Sequence, residues 1–171
     1  MTHSIPAETL QNIVAQDERA WQRGPMSGKE DTSIRWIPVA DVGRTKLHIG
    51  LSDEGEWVRG GGATVEVANG PHALSFLPCL DVPLEEVRQT IRNGLVRIGL
   101  PSSFADTFPL ANVIVTGLTS GSEYWVTLAL ERIDDSVRNE QVDEAIRSAS
   151  TSAPTQKLRH QAKRLLGKPV R

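Results

Sequence analysis

One cysteine, one tyrosine and three phenylalanines are all that 171 residues contain of those types. A single thiol, Cys79, cannot close an intrachain disulfide, so packing must hold the fold, as a reducing compartment demands, and the expected address is the cytoplasm. Long apolar runs are missing too. The longest, residues 111–118, is interrupted by Asn112 and Thr116 and falls well short of the roughly 20 residues that cross a bilayer as a helix. The N-terminus, Met1-Thr2-His3-Ser4-Ile5-Pro6, has neither the basic start nor the apolar run of a secretory signal.

Acid is absent from one whole end. All 21 Asp and Glu residues lie at or before Glu144. Residues 1–144 carry 12 Lys and Arg against those 21 acids, a charge of −9, whereas residues 145–171 carry 7 basic residues and no acid, +7. An acidic body with a basic tail is the first organisational statement the chain makes. Its composition, 39% hydrophobic and 23% charged, is that of a folded protein, and its length suits one core. The expected division is a single α+β domain over residues 1–149, followed by a linker and a basic amphipathic segment over 150–171.

Periodicity supplies the elements. Leu10, Ile13, Val14 and Trp21 recur at helical spacing over residues 6–21, where Gly24-Pro25 stops the pattern. Asp17 falls within that stripe, so either the helix frays there or an arginine meets the carboxylate. Thereafter the period shortens to two, predicting strands over 33–39, 44–51, 56–59, 63–68 and 72–77, joined by short glycine-bearing turns that make neighbours antiparallel. A helix follows with Asp81 as N-cap and Pro83 in its first turn, closed by Gly99 and Pro101; Leu84, Val87, Ile91, Leu95 and Ile98 form its core face. Residues 112–117 and 122–133 read as a second hairpin with Tyr124, Val126, Leu128 and Leu130 pointing one way. A third helix carries Val137, Val142, Ala145, Ile146 and Ala149, with Asp134 and Asp135 at its start. Beyond the Ser150–Pro154 stretch, Leu158, Ala162, Leu165 and Leu166 mark a last, basic helix. The predicted fold is therefore α+β: an antiparallel sheet of six to seven strands with helices on one face, in the order α-β(4-5)-α-β-β-α plus a basic C-terminal helix.

Catalytic and cofactor motifs are not found. Residues 24–30, Gly-Pro-Met-Ser-Gly-Lys-Glu, have one spacer too few for a phosphate loop and lack the hydroxyl that follows its lysine. Arg59-Gly60-Gly61-Gly62 resembles an anion nest only loosely, and a flexible strand connection is the simpler reading. His3 and His160 lie in terminal segments, and no metal-ligand spacing occurs. His48, His72, Cys79 and Glu66 could assemble a site that sequence does not reveal, although Cys79 reads more simply as a buried small residue at a strand end. No cofactor, metal or catalytic residue is assigned.

What remains is a set of candidate binding residues. Four of the eight aromatics are Trp, and alternation turns Trp57 and Trp125 away from the helix-covered face, so that with Arg35 and Arg59 they would form a patch on an open sheet face. On the tail, Lys157, Leu158, Arg159, Lys163, Arg164 and Leu165 would dock either on the chain's own acidic body or on a partner. The expected function is a non-enzymatic, protein-binding role of the immunity, chaperone or adaptor kind, with self-association included. Nucleic-acid association through residues 154–171 is one alternative, and a small enzyme with a scattered site is the other.

Overall fold

The computed structural model describes residues 17–68 and 73–167, together with Glu8, Gln11, Asn12 and Ala15. Its N-terminal half is a five-stranded antiparallel meander: β1 Gln22–Met26, β2 Lys29–Val42, β3 Leu47–Ser52, β4 Trp57–Arg59 and β5 Glu66–Val67, in the order β1-β2-β3-β4-β5. An odd number of strands in such a meander leaves the first and last running the same way. Accordingly the sheet curls until Met26 and Val65 meet in a parallel bridge, with Val65 N–H donating to Pro25 O at 2.8 Å and Ser27 N–H to Val65 O at 2.9 Å. The result is a half-barrel.

Its two faces pack differently. On one, Trp36, Val58 and Val65 form a small buried cluster. The Trp36 ring lies over Gly50 and Gly60, where any Cβ would overlap it, so those glycines are sites of close approach. The other face carries Ile37, Val42, Ile49, Leu51 and Trp57 into the main core beneath the helices. A bulge between Pro38 and Ala40 inserts Val39 as an unpaired residue and resets the alternation, so Ile37, Val39, Ala40 and Val42 are all buried.

The C-terminal half is helical: α1 Leu84–Arg97, α2 Leu110–Thr119, α3 Glu123–Arg132, α4 Glu140–Ser152 and α5 Gln156–Leu166; 3₁₀ turns precede β1 at Glu18–Ala20, link sheet to helices at Ala73–Asp81 and join α1 to α2 at Ser102–Thr107. Helix α1 buries Leu84, Val87, Ile91 and Leu95 as its spacing predicts. It crosses β2 so closely that a Cβ on Gly94 would strike the Val39 carbonyl. That carbonyl, left without a ladder partner by the bulge, accepts from Arg97 Nη2 at 2.9 Å. Among the described residues no helix is long and apolar enough to cross a membrane.

Several expectations are corrected. The sheet has five strands, and the second hairpin is a helix pair. In α2 the buried positions are Leu110, Val113, Ile114, Gly117 and Leu118, and in α3 they are Val126, Ala129 and Leu130: a helical period in both. The β-branched run Val113–Thr116 suggested a strand, but tertiary packing overrides that preference. Gly117 lets α3 close on α2, since its Cβ would press on Ala129 and Leu80. Residues 73–77, expected in a strand, belong to the 3₁₀ segment. Asp81 does not cap α1, whose N-cap is Pro83 without a side-chain bond; it accepts instead from Tyr124 Oη at 2.7 Å. The N-cap of α4 is Asn139, downstream of Asp134 and Asp135. Leu10, Ile13 and Val14 of the expected first helix lie outside the described residues. Asp17 caps the Glu18–Ala20 turn by accepting from Arg19 N–H at 3.1 Å.

Candidate functional site on the C-terminal helix

Local chemistry explains why α5 starts where it does. Pro154 follows the C-cap of α4, and Thr155 then caps α5, its hydroxyl accepting from Leu158 N–H. The apolar stripe of α5 turns inward: Leu158 and Ala162 are buried, and Leu165 and Leu166 are half-buried against the main core. Arg159 reaches back and donates from Nη1 to the Ala153 carbonyl at 2.7 Å, satisfying an acceptor at the end of α4. The tail is thus docked on its own body, chiefly on α4 and also on α3.

Docking aims the remaining side chains outward. Lys157, His160, Lys163 and Arg164 are exposed and, with Gln156, line one shallow concavity. Their spacing of three and seven residues keeps them on one face over about 10 Å of helix axis. None of these four side chains has an ion-pair or hydrogen-bond partner among the described residues.

Several arginines elsewhere are engaged. Arg35 pairs with Glu18 at 2.6 Å and lies over the Trp21 ring at 4.5 Å. Arg92 bridges Glu85 and Asp106, both at 3.0 Å. Arg138 holds Asp143 at 2.8 Å, and Arg147 pairs with Glu144 on α4.

Helix electrostatics sharpen the contrast. The first turns of α1, α3 and α4 carry acids, as the partial positive charge of a helix N-terminus favours. That of α5 carries none and holds Lys157 instead, against its own helix field. Lys163 and Arg164, in the last turn, are favoured by that field.

No family model, curated protein or solved structure matches this chain. Its own geometry therefore sorts the candidate residues. Trp57 is buried, its ring meeting Phe108 edge-on at 5.3 Å while Nε1 donates to Thr107 Oγ1 at 2.9 Å. Trp125 lies on α3, half-buried and edge-on to Tyr124 at 4.7 Å. Arg59 sits 3.7 Å from Glu66. Arg35, Trp57, Arg59 and Trp125 thus do not converge on one open patch, because β4 turns Trp57 toward the helices. Leu158 and Leu165 face inward, whereas Lys157, Lys163 and Arg164 come together.

Among the described residues, the members of the scattered catalytic set do not come together. Cys79 is fully buried in the main core, where burial first, and then Asp81, push its thiol up to about 12; it is no nucleophile at neutral pH. His48 alternates with the core residues Leu47 and Ile49 and so faces the other side of the sheet, where Nδ1 meets Asp41 Oδ1 at 2.6 Å. His72 lies outside the described residues. The glycine run proves to be a packing device: Gly60 admits the Trp36 ring, and Gly61, at φ +81°, admits that of His48. Sequence reasoning passed over His160, although its spacing of three from both Lys157 and Lys163 was the available signal.

Proposed function

We propose that this protein is a non-enzymatic binding module that holds an acidic protein surface against the outward face of α5. The observation that carries the reading is Lys157. It is exposed, lacks an anionic partner among the described residues, and occupies a first turn where a carboxylate would serve helix stability better. Joined by Lys163 and Arg164, it makes a cationic face held in place by the buried Leu158 and Ala162. A preformed face loses less conformational freedom on binding than a tail that must first order. Immunity, chaperone and adaptor roles all use such electrostatic complementarity.

A nucleic-acid phosphate backbone is the second reading, favoured by the complete absence of acid from residues 145–171. Three fixed cations neutralise about three phosphates, fewer than the roughly six to ten of strongly salt-dependent DNA binders. The −9 of residues 1–144 opposes any longer footprint. Lys168 and Arg171, which could extend it, lie outside the described residues.

Fluorescence anisotropy with a labelled glutamate-rich peptide, a DNA duplex and a single-stranded RNA separates the two. Peptide binding that weakens with salt and disappears in K157E/K163E/R164E is the expected result. Tighter binding to duplex or RNA in the same buffer transfers the function to nucleic acid, and binding to none of the three ends the reading.

A further inference from the structure

We propose that the acidic surface recognised by α5 is that of a second copy of this chain, engaged head to tail. This rests on the reading of α5 as a face for acidic protein. Charge complementarity is the first ground: the chain carries −9 over residues 1–144 and +7 over residues 145–171, so each copy presents both halves of an attractive pair.

Position is the second. Helix α5 packs on α4 and α3, while the sheet is met by α1 and the 73–81 segment. Helix α5 is thus held on the helical half of its own chain, and its cationic side chains, exposed on the face away from that packing, are left for another copy.

The third ground is the state of the carboxylates on the sheet side. Asp53, Glu54 and Glu56, on and beside the turn between β3 and β4, have no cation partner among the described residues. Across β2, Asp53 N–H donates to the Arg35 carbonyl at 3.0 Å, so this turn belongs to the end of the sheet where β1 and β2 also run. Partial burial first, and then the neighbouring Glu54, raise the Glu56 pKa. A cationic helix face arriving from another copy supplies these carboxylates with a counter-charge. Joining unlike surfaces head to tail makes a heterologous contact, which closes into a ring or grows into an open chain according to the rotation between copies. One helical face is small compared with the interfaces of stable complexes, so the association is weak, reversible and sensitive to salt.

Sedimentation velocity over a concentration series, at low and at high salt, tests this on the full chain. The expected result is a weight-average mass that rises with concentration at low salt and falls back to the monomer at high salt. K157E/K163E/R164E and, separately, E54K/E56K should each weaken association by about tenfold or more. Circular dichroism confirms that both variants remain folded, and K163Q/R164Q serves as the milder replacement if the triple reversal does not. Mixing the two charge-reversed chains should restore association, because the intact α5 of one meets the intact turn of the other. A monomer at every concentration in low salt overturns the proposal, as does association indifferent to either reversal, or a mixture that stays monomeric. If glutamate-peptide binding persists while self-association is absent, the self-association proposal alone fails. If peptide binding is absent as well, the underlying reading fails with it.

Discussion

Arg132 and Arg164 carry the same side chain in unlike settings. Half-buried on α3, Arg132 donates from Nε to the carbonyls of Leu80 and Val82 at 3.2 and 3.0 Å and so ties the 73–81 segment to the helices. Arg164 stands exposed in the last turn of α5 with no partner among the described residues. The same division recurs elsewhere: Arg97, Arg138 and Arg159 join elements, while the side chains of Lys157, Lys163 and Arg164 join nothing among the described residues. A cation that satisfies buried acceptors is structural, because its removal strands them without a donor. One facing water is expendable for folding.

The largest test asks whether α5 belongs to the folded body at all. Leu158→Ala should lower global stability by about 2–5 kcal/mol, read from urea unfolding, if the buried side chain is part of the common core. Should only α5 detach, with hydrogen exchange elsewhere unchanged, the tail is a separate unit and its cationic face is not preformed. Next, Arg132→Met should cost about 1–3 kcal/mol by leaving the Leu80 and Val82 carbonyls without their donor; a smaller loss would erase the distinction between the two arginines.

K157E/K163E/R164E should then move stability by no more than about 1 kcal/mol, because the gain at Lys157 in the first turn offsets part of the loss at Lys163 and Arg164 in the last, while abolishing glutamate-peptide binding. A large loss of stability would make these cations structural after all. Smallest is the change at Glu56. Because its folded pKa is raised above the ordinary 4.5, the ionised carboxylate is disfavoured in the fold. The stability linked to its protonated form is complete below about pH 4.5 and lost as pH rises through the raised value. Glu56→Gln should therefore raise Tm slightly at neutral pH, with the gain vanishing in acid. An equal gain at both pH values would trace the effect to packing.

Much of the architecture was legible. Leu84, Val87, Ile91 and Leu95 announced α1 by spacing alone, and Leu158 with Ala162 announced the buried stripe of α5. The early strands were readable because glycine turns punctuate a two-residue alternation. What misled was the stretch from Asn112 to Ile133, where β-branched residues and a short accidental alternation imitate a hairpin. Its true period appears only in Val113, Ile114, Gly117 and Val126, Ala129, Leu130, buried because two helices meet across Gly117. Trp57 was misplaced for a related reason: alternation separates the two faces of a strand but does not say which is covered.

The sequence by itself determined the charge asymmetry, the single cysteine and the amphipathic tail, since these depend on composition and on spacing along one local segment. Only the tertiary structure decided which cations are free. An arginine acquires or lacks a partner according to what the fold brings beside it, and Arg97 meets the Val39 carbonyl from 58 residues away in the chain.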